Sequence, residues 1–163
     1  MATAVDELET ILKQLIGEHE KLLRQMQSQQ AAMKKLDQSA MEDISHLQEA
    51  TRLRISSLET RRRAVVNQLA KTLRIEGRAT LARIAESMPA ARAKLLGLRN
   101  RLKELVAQVS ARATVAGKLA GAVLGHLNTV VRLLAGSVEQ AGLYTKNGVP
   151  QVSTRIGMLE AVG

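Results

Sequence analysis

Three stretches of this chain space their apolar residues at alternating steps of four and three, and that spacing constrains the fold more than any other feature. The first stretch is Leu8, Leu12, Leu15, His19, Leu22, Met26, Gln29, Met33 and Leu36. The second is Met41, Ile44, Gln48, Thr51, Ile55, Leu58, Arg62, Val65, Leu69 and Thr72, widened by Leu47, Leu53, Val66 and Leu73. The third begins at Ala91, Leu95, Leu98, Leu102 and Leu105. It continues through Val109, Arg112, Ala116, Leu119, Val123, His126, Val130 and Leu133. A 3.5-residue period is the seam of a helix packed against other helices. Composition agrees. Tyr144 is the one aromatic residue in 163, so the aromatic core typical of a β-sandwich has no material. There is no cysteine, which excludes a disulfide scaffold and fits a reducing compartment.

The breaks between seams set the expected boundaries. Thr3 with Asp6 predicts an N-terminal cap pair. Ser39 and Glu42 have capping-box spacing, and Asp37 offers the same service two residues earlier. A joint there predicts an antiparallel hairpin, with one uninterrupted helix as the alternative because no Gly or Pro interrupts it. Gly77 ends or bends the second helix. Residues 78–86 allow about two helical turns. Ser87-Met88-Pro89 reads as a new start, with Ser87 as cap and Pro tolerated in the first turn. The third helix then spans about 88–138, and turn residues follow Glu139. The expectation is an all-α fold, an antiparallel three-helix coiled-coil bundle with long helices and a short linking helix. Its parts are an N-terminal hairpin over 1–76, a linker over 77–87, a long helix over 88–139 and a mobile tail over 140–163. The seams fit a monomer or a dimer.

Charge is unevenly spread. Residues 1–51 are net −4, residues 52–103 net +11 and residues 104–163 net +2. A basic band neutralises phosphates, meets acidic protein or solvates a long helix. Here the arginines surround the helix and no aromatic residues interleave with them for base stacking, so nucleic acid is the minority expectation. The opening residues carry acids where a secretory leader carries bases. The least polar run, Leu119 to Val131, has 13 residues against the roughly 20 of a membrane span. The expected location is cytoplasmic.

Catalytic chemistry has no residues to rest on. His19, His46 and His126 stand apart, and zinc needs three or four converging ligands. His19, between Glu18 and Glu20, reads as a polar interruption of a seam, and His126 as a partly buried seam residue. No nucleophile elbow, phosphate loop or cofactor fingerprint occurs. The expectation is a non-enzyme with no cofactor, no metal and no small-molecule substrate.

Gly117, Gly121 and Gly125 form a row at four-residue spacing, read as lying beside the seam residues Ala116, Leu119 and Val123. Small residues let another helix approach closely, and each glycine weakens a helix by about 1 kcal/mol relative to alanine. The row serves either internal packing or docking of a partner helix.

Together these pieces resemble the FlgN family of flagellar export chaperones. Leu12 to Leu23, ending Glu18-His19-Glu20-Lys21-Leu22-Leu23, is similar to that family's opening leucine-rich helix with its Glu-x-Glu-x-Leu-Leu run. Glu59-Thr60-Arg61-Arg62-Arg63 is similar to its Glu-x-x-Arg segment, and Gly77 to its break before a short linking helix. Tyr144-Thr145-Lys146-Asn147-Gly148 resembles its Tyr-x-x-x-Gly after the last helix. The resemblance implies a cytoplasmic chaperone of type III flagellar export. It would bind the C-terminal helices of hook–filament junction proteins, prevent premature assembly and deliver them to the export apparatus. The implied client site is Leu119, Val123, Leu127, Val130 and Leu134 on the last helix, to which Ala116 and the glycines Gly117, Gly121 and Gly125 are added. Tyr144 is the implied contact to the export gate. The competing readings are a nucleic-acid-associated basic coiled coil and a structural coiled-coil adaptor.

Overall fold

The computed structural model describes residues 2–140, with side chains over 3–135. The fold is all-α. Helices α1 (Ala2–Lys35), α2 (Gln38–Thr72), α3 (Leu81–Glu86) and α4 (Pro89–Gln140) follow in order, and no strand occurs among the described residues. The chain divides into two units after Leu119.

In the first unit α1 and α2 form an antiparallel hairpin. Arg61 meets Glu7 near one end, and Gln48 meets Gln29 near the other. The turn between them is as short as two helices permit. Leu36 takes a left-handed φ of 53°, its N–H bonds the Met33 carbonyl, and the Asp37 N–H bonds that of Ala32. This pattern satisfies the last free carbonyls of α1. The same Asp37 then opens α2, its carboxylate accepting from the Ala40 N–H at 3.0 Å. Asp37 therefore caps in place of Ser39, and the uninterrupted helix does not form. Leu36, expected as the last seam residue, is instead a turn residue, 55% exposed. The other cap expected in the first helix is also displaced, because α1 begins before Thr3 and holds it inside the helix.

The core lies at the end of the hairpin away from this turn. Leu8, Ile11, Leu12 and Leu15 of α1 pack with Val65, Val66 and Leu69 of α2. Leu81, Ile84 and Ala85 of α3 and Leu95 of α4 complete it. Burying each such leucine contributes about 1.5–3 kcal/mol, and this is what holds α3, too short to be stable alone. Of the residues expected to widen the second seam, Val66 is buried and Leu73 half-buried. Leu47 and Leu53 are exposed, because only one face of α2 meets a partner.

Arg74, not Gly77, closes α2. Its left-handed φ of 52° lets the Ile75 N–H reach the Ala70 carbonyl. Gly77, φ 81°, shapes the linker that follows. There Arg83 donates through Nη1 to the carbonyls of Glu76 at 2.6 Å and Arg78 at 3.4 Å, and a Cβ on Gly77 would stand 3.3 Å from that nitrogen. Thr80 caps α3 by accepting from the Arg83 N–H. Ser87 ends α3, its N–H and hydroxyl both bonding the Arg83 carbonyl. It therefore does not cap α4, which starts directly at Pro89.

Within the first unit, α1 and α4 meet through Glu9–Lys94, Glu20–Arg101 and Gln30–Arg112, numbers that rise together, so these two segments run the same way. Hydrogen bonding to Glu20, then Glu104, raises the Arg101 guanidinium above its ordinary value. Leu95 and Leu105 are fully buried beneath these contacts, and Leu98, Leu102 and Val109 half-buried. At the register set by Gln30–Arg112, the last residues of α1 fall opposite the segment just before Leu119.

Candidate functional site

The expected client residues lie on α4 in a helical rhythm of three and four. Ala116 and Leu119, in the first unit, are half-buried. In the second, Val123 is half-buried, whereas Leu127, Val130 and Leu134 are 45%, 37% and 62% exposed. Steps of three and four put residues on one side of a helix, so Val123, Leu127, Val130 and Leu134 share a face. Leu124, Val131 and Leu133, outside the expected set, are exposed as well. Leu124, Leu127, Val131 and Leu134 have their own spacing of three, four and three, a second sequence signal beside the seam through Val123 and Val130. Among the described side chains, more than half of the exposed large hydrophobic ones lie between Leu124 and Leu134.

The glycine row does not belong to this face. Gly121 precedes Val123, and Gly125 precedes Leu127, by two residues. Two residues turn a helix by about 200°, so Gly121 and Gly125 point away from Val123 and Leu127, whereas Gly121, three residues before Leu124, shares a side with that leucine. A Cβ on Gly117, Gly121 or Gly125 meets nothing within 4 Å. No helix of the first unit packs closely on Gly117. His126, expected to be partly buried in the seam, is exposed.

The remaining histidines have structural surroundings. His19 is buried in the α1 seam, where its Nδ1–H donates to the Leu15 carbonyl at 2.7 Å. His46 is exposed on α2. No three metal-ligating residues converge among the described residues. No described helix is long and apolar enough to cross a membrane. Tyr144 and the expected tail over 140–163 lie outside the described residues apart from Gln140.

An open stripe of leucine and valine on a helix is the kind of surface on which another helix can pack. The family model described as FlgN protein matches residues 1–151, and the chain belongs to the FlgN family, whose members are chaperones of flagellum biogenesis. Comparison with curated proteins and with solved structures gives no significant match.

Proposed function

We propose that this chain is a cytoplasmic flagellar type III export chaperone whose helix α4 receives the C-terminal helices of hook–filament junction proteins. Binding keeps those helices from assembling early and accompanies them to the export apparatus. The carrying observation is the exposure of Leu127, Val130 and Leu134 on one face of α4. An amphipathic client helix laid on that face would bury apolar surface on both partners, at about 25 cal/mol per Å² before the costs of association. Ala116, Leu119 and Val123 extend the stripe toward the amino end of α4. We read α1, α2 and the part of α4 before Leu119 as a three-helix antiparallel coiled coil. The ascending contacts Glu9–Lys94 and Glu20–Arg101, with the α1–α2 hairpin, favour that arrangement. Family membership supports the chaperone role. Tyr144 is assigned to the export gate on the strength of the resemblance alone.

The test is the full-length chain with Leu127→Glu and Leu134→Glu, titrated with the C-terminal helical segment of a junction protein from the same cell. The expected result is affinity lower by about tenfold or more, with helical content by circular dichroism unchanged because both side chains are already exposed. Unchanged affinity would remove the stripe from the client site. Tyr144→Ala should leave client binding intact and weaken binding to the cytoplasmic domain of the export gate.

A further inference from the structure

We propose that the cleft formed by α2, the Arg78–Leu81 link and the Arg99–Ser110 segment of α4 is a docking groove for an acidic amphipathic helix of a partner protein. It lies wholly within residues 1–119 and shares no residue with the stripe at Leu127–Leu134.

The cleft is open and encloses about 530 Å³. Leu81 and Leu102 supply apolar floor, and Val106 stands 48% exposed in it, a branched aliphatic side chain left uncovered in mid-helix. The rim is basic. Arg78, Arg99 and Lys103 form no salt bridge among the described residues. The lining has one acid, Glu59, and that acid is already engaged. Arg62 donates to it through Nε at 3.1 Å and through Nη2 at 2.8 Å, in a partly buried pair. The groove therefore presents positive potential beside apolar surface.

An occupant must answer both. A phosphate backbone satisfies the rim and leaves Leu102 and Val106 uncovered, and the cleft has no aromatic ring on which a base could stack. A helix with a leucine stripe flanked by Asp and Glu satisfies rim and floor together. The shape agrees. Arg99, Leu102, Lys103, Val106 and Ser110 recur at steps of three, one, three and four, a ridge about 16 Å long at 1.5 Å per residue, or about three turns of a visiting helix. The rim is also held in place, since Arg83 bonds the carbonyls of Glu76 and Arg78 and so fixes the link that carries Arg78. The chain's own residues 141–163 carry Lys146 and Arg155 against Glu160, the wrong balance to fill a basic groove. In the acidic first third, Glu7, Glu9 and Glu20 are already paired to Arg61, Lys94 and Arg101.

The test uses the full-length chain and a fluorescent synthetic helical peptide of Leu, Glu and Ala, with leucines at i, i+3, i+4 and i+7. A peptide of identical composition with the leucines scattered around the helix serves as comparison. The expected result is that the striped peptide binds at least about tenfold tighter than the scattered one. Combined Arg78→Glu, Arg99→Glu and Lys103→Glu should weaken it by about tenfold or more, as should Val106→Glu alone. Leu127→Glu with Leu134→Glu should leave it unchanged, which separates this groove from the client stripe. Circular dichroism checks that each variant is folded, and Val106→Ala, too mild to unfold the chain, should give a smaller loss in the same direction. Equal binding of the two peptides would overturn the proposal, because charge alone would then suffice. So would insensitivity to the charge reversals. Preference for a DNA duplex over the striped peptide would assign the groove to nucleic acid instead. Self-association of the wild type that the reversals abolish would assign it to a second copy.

Discussion

Gln48 donates through Nε2 to Oε1 of Gln29 at 3.0 Å, joining α2 to α1 inside the hairpin seam, where Gln48 is almost wholly buried. A polar pair in an apolar seam fixes which residue faces which, since any slide leaves both amides without partners. Gln48→Ala should lower stability by about 1–2 kcal/mol. Gln29→Leu with Gln48→Leu should recover most of that loss, because no amide is left stranded. Urea unfolding of Gln29→Leu, Gln48→Leu and the double gives the coupling directly. Strict additivity would mean the amides do not act as a pair.

Leu36 sits in the left-handed region, where a Cβ costs about 1 kcal/mol, and its side chain is mostly exposed. Leu36→Gly should therefore stabilise the hairpin by about 0.5–1 kcal/mol despite deleting a large apolar side chain. A raised thermal midpoint is the expected reading. A lowered one would mean that the leucine makes contacts worth more than its backbone strain.

Asp37 and Ser39 offered themselves equally as the cap of α2, and the structure uses Asp37. Asp37→Ala should cost about 1 kcal/mol, as loss of an N-cap usually does. Ser39→Ala should change little. Chemical denaturation of the two variants side by side tests the assignment, which a larger loss from Ser39→Ala would reverse.

Gly121→Ala with Gly125→Ala should raise helicity, since a Cβ meets no atom at either position and each exchange favours helix by about 1 kcal/mol. Both positions point away from Leu127 and Leu134, so client affinity should hold or rise as less helix has to be ordered on binding. Circular dichroism and calorimetric titration measure the two effects. A marked fall in affinity would show that the client approaches the glycine side.

The helices were legible in the sequence because their evidence is periodic and repeated. Leu8, Leu12 and Leu15 name a buried face by spacing alone, and all three are fully buried. The ends were less legible because caps compete over one or two residues. Asp37 against Ser39, and Ser87 ending α3 rather than opening α4, turn on local hydrogen bonds that spacing does not encode. Leu36 and Arg74 in left-handed turns carry no sequence signal, since glycine is the usual sign of that conformation. On α4 the apolar stripe was readable, and the helix turn puts Gly121 and Gly125 across from Val123 and Leu127 rather than beside them. A two-residue offset looks like adjacency in a line of text and is near opposition on a helix. The basic cleft has no signal in the linear sequence, because Arg78 and Lys103, distant along the chain, line one surface only once the linker has folded back.

The turn at Leu36–Asp37 holds no spare chain, since one residue finishes the first helix while its neighbour starts the second. Inserting a single residue in either arm would rotate everything beyond it by about 100° and swing the seam toward water. The hairpin thus behaves as a paired ruler. Its arms can lengthen or shorten only together, a heptad at a time.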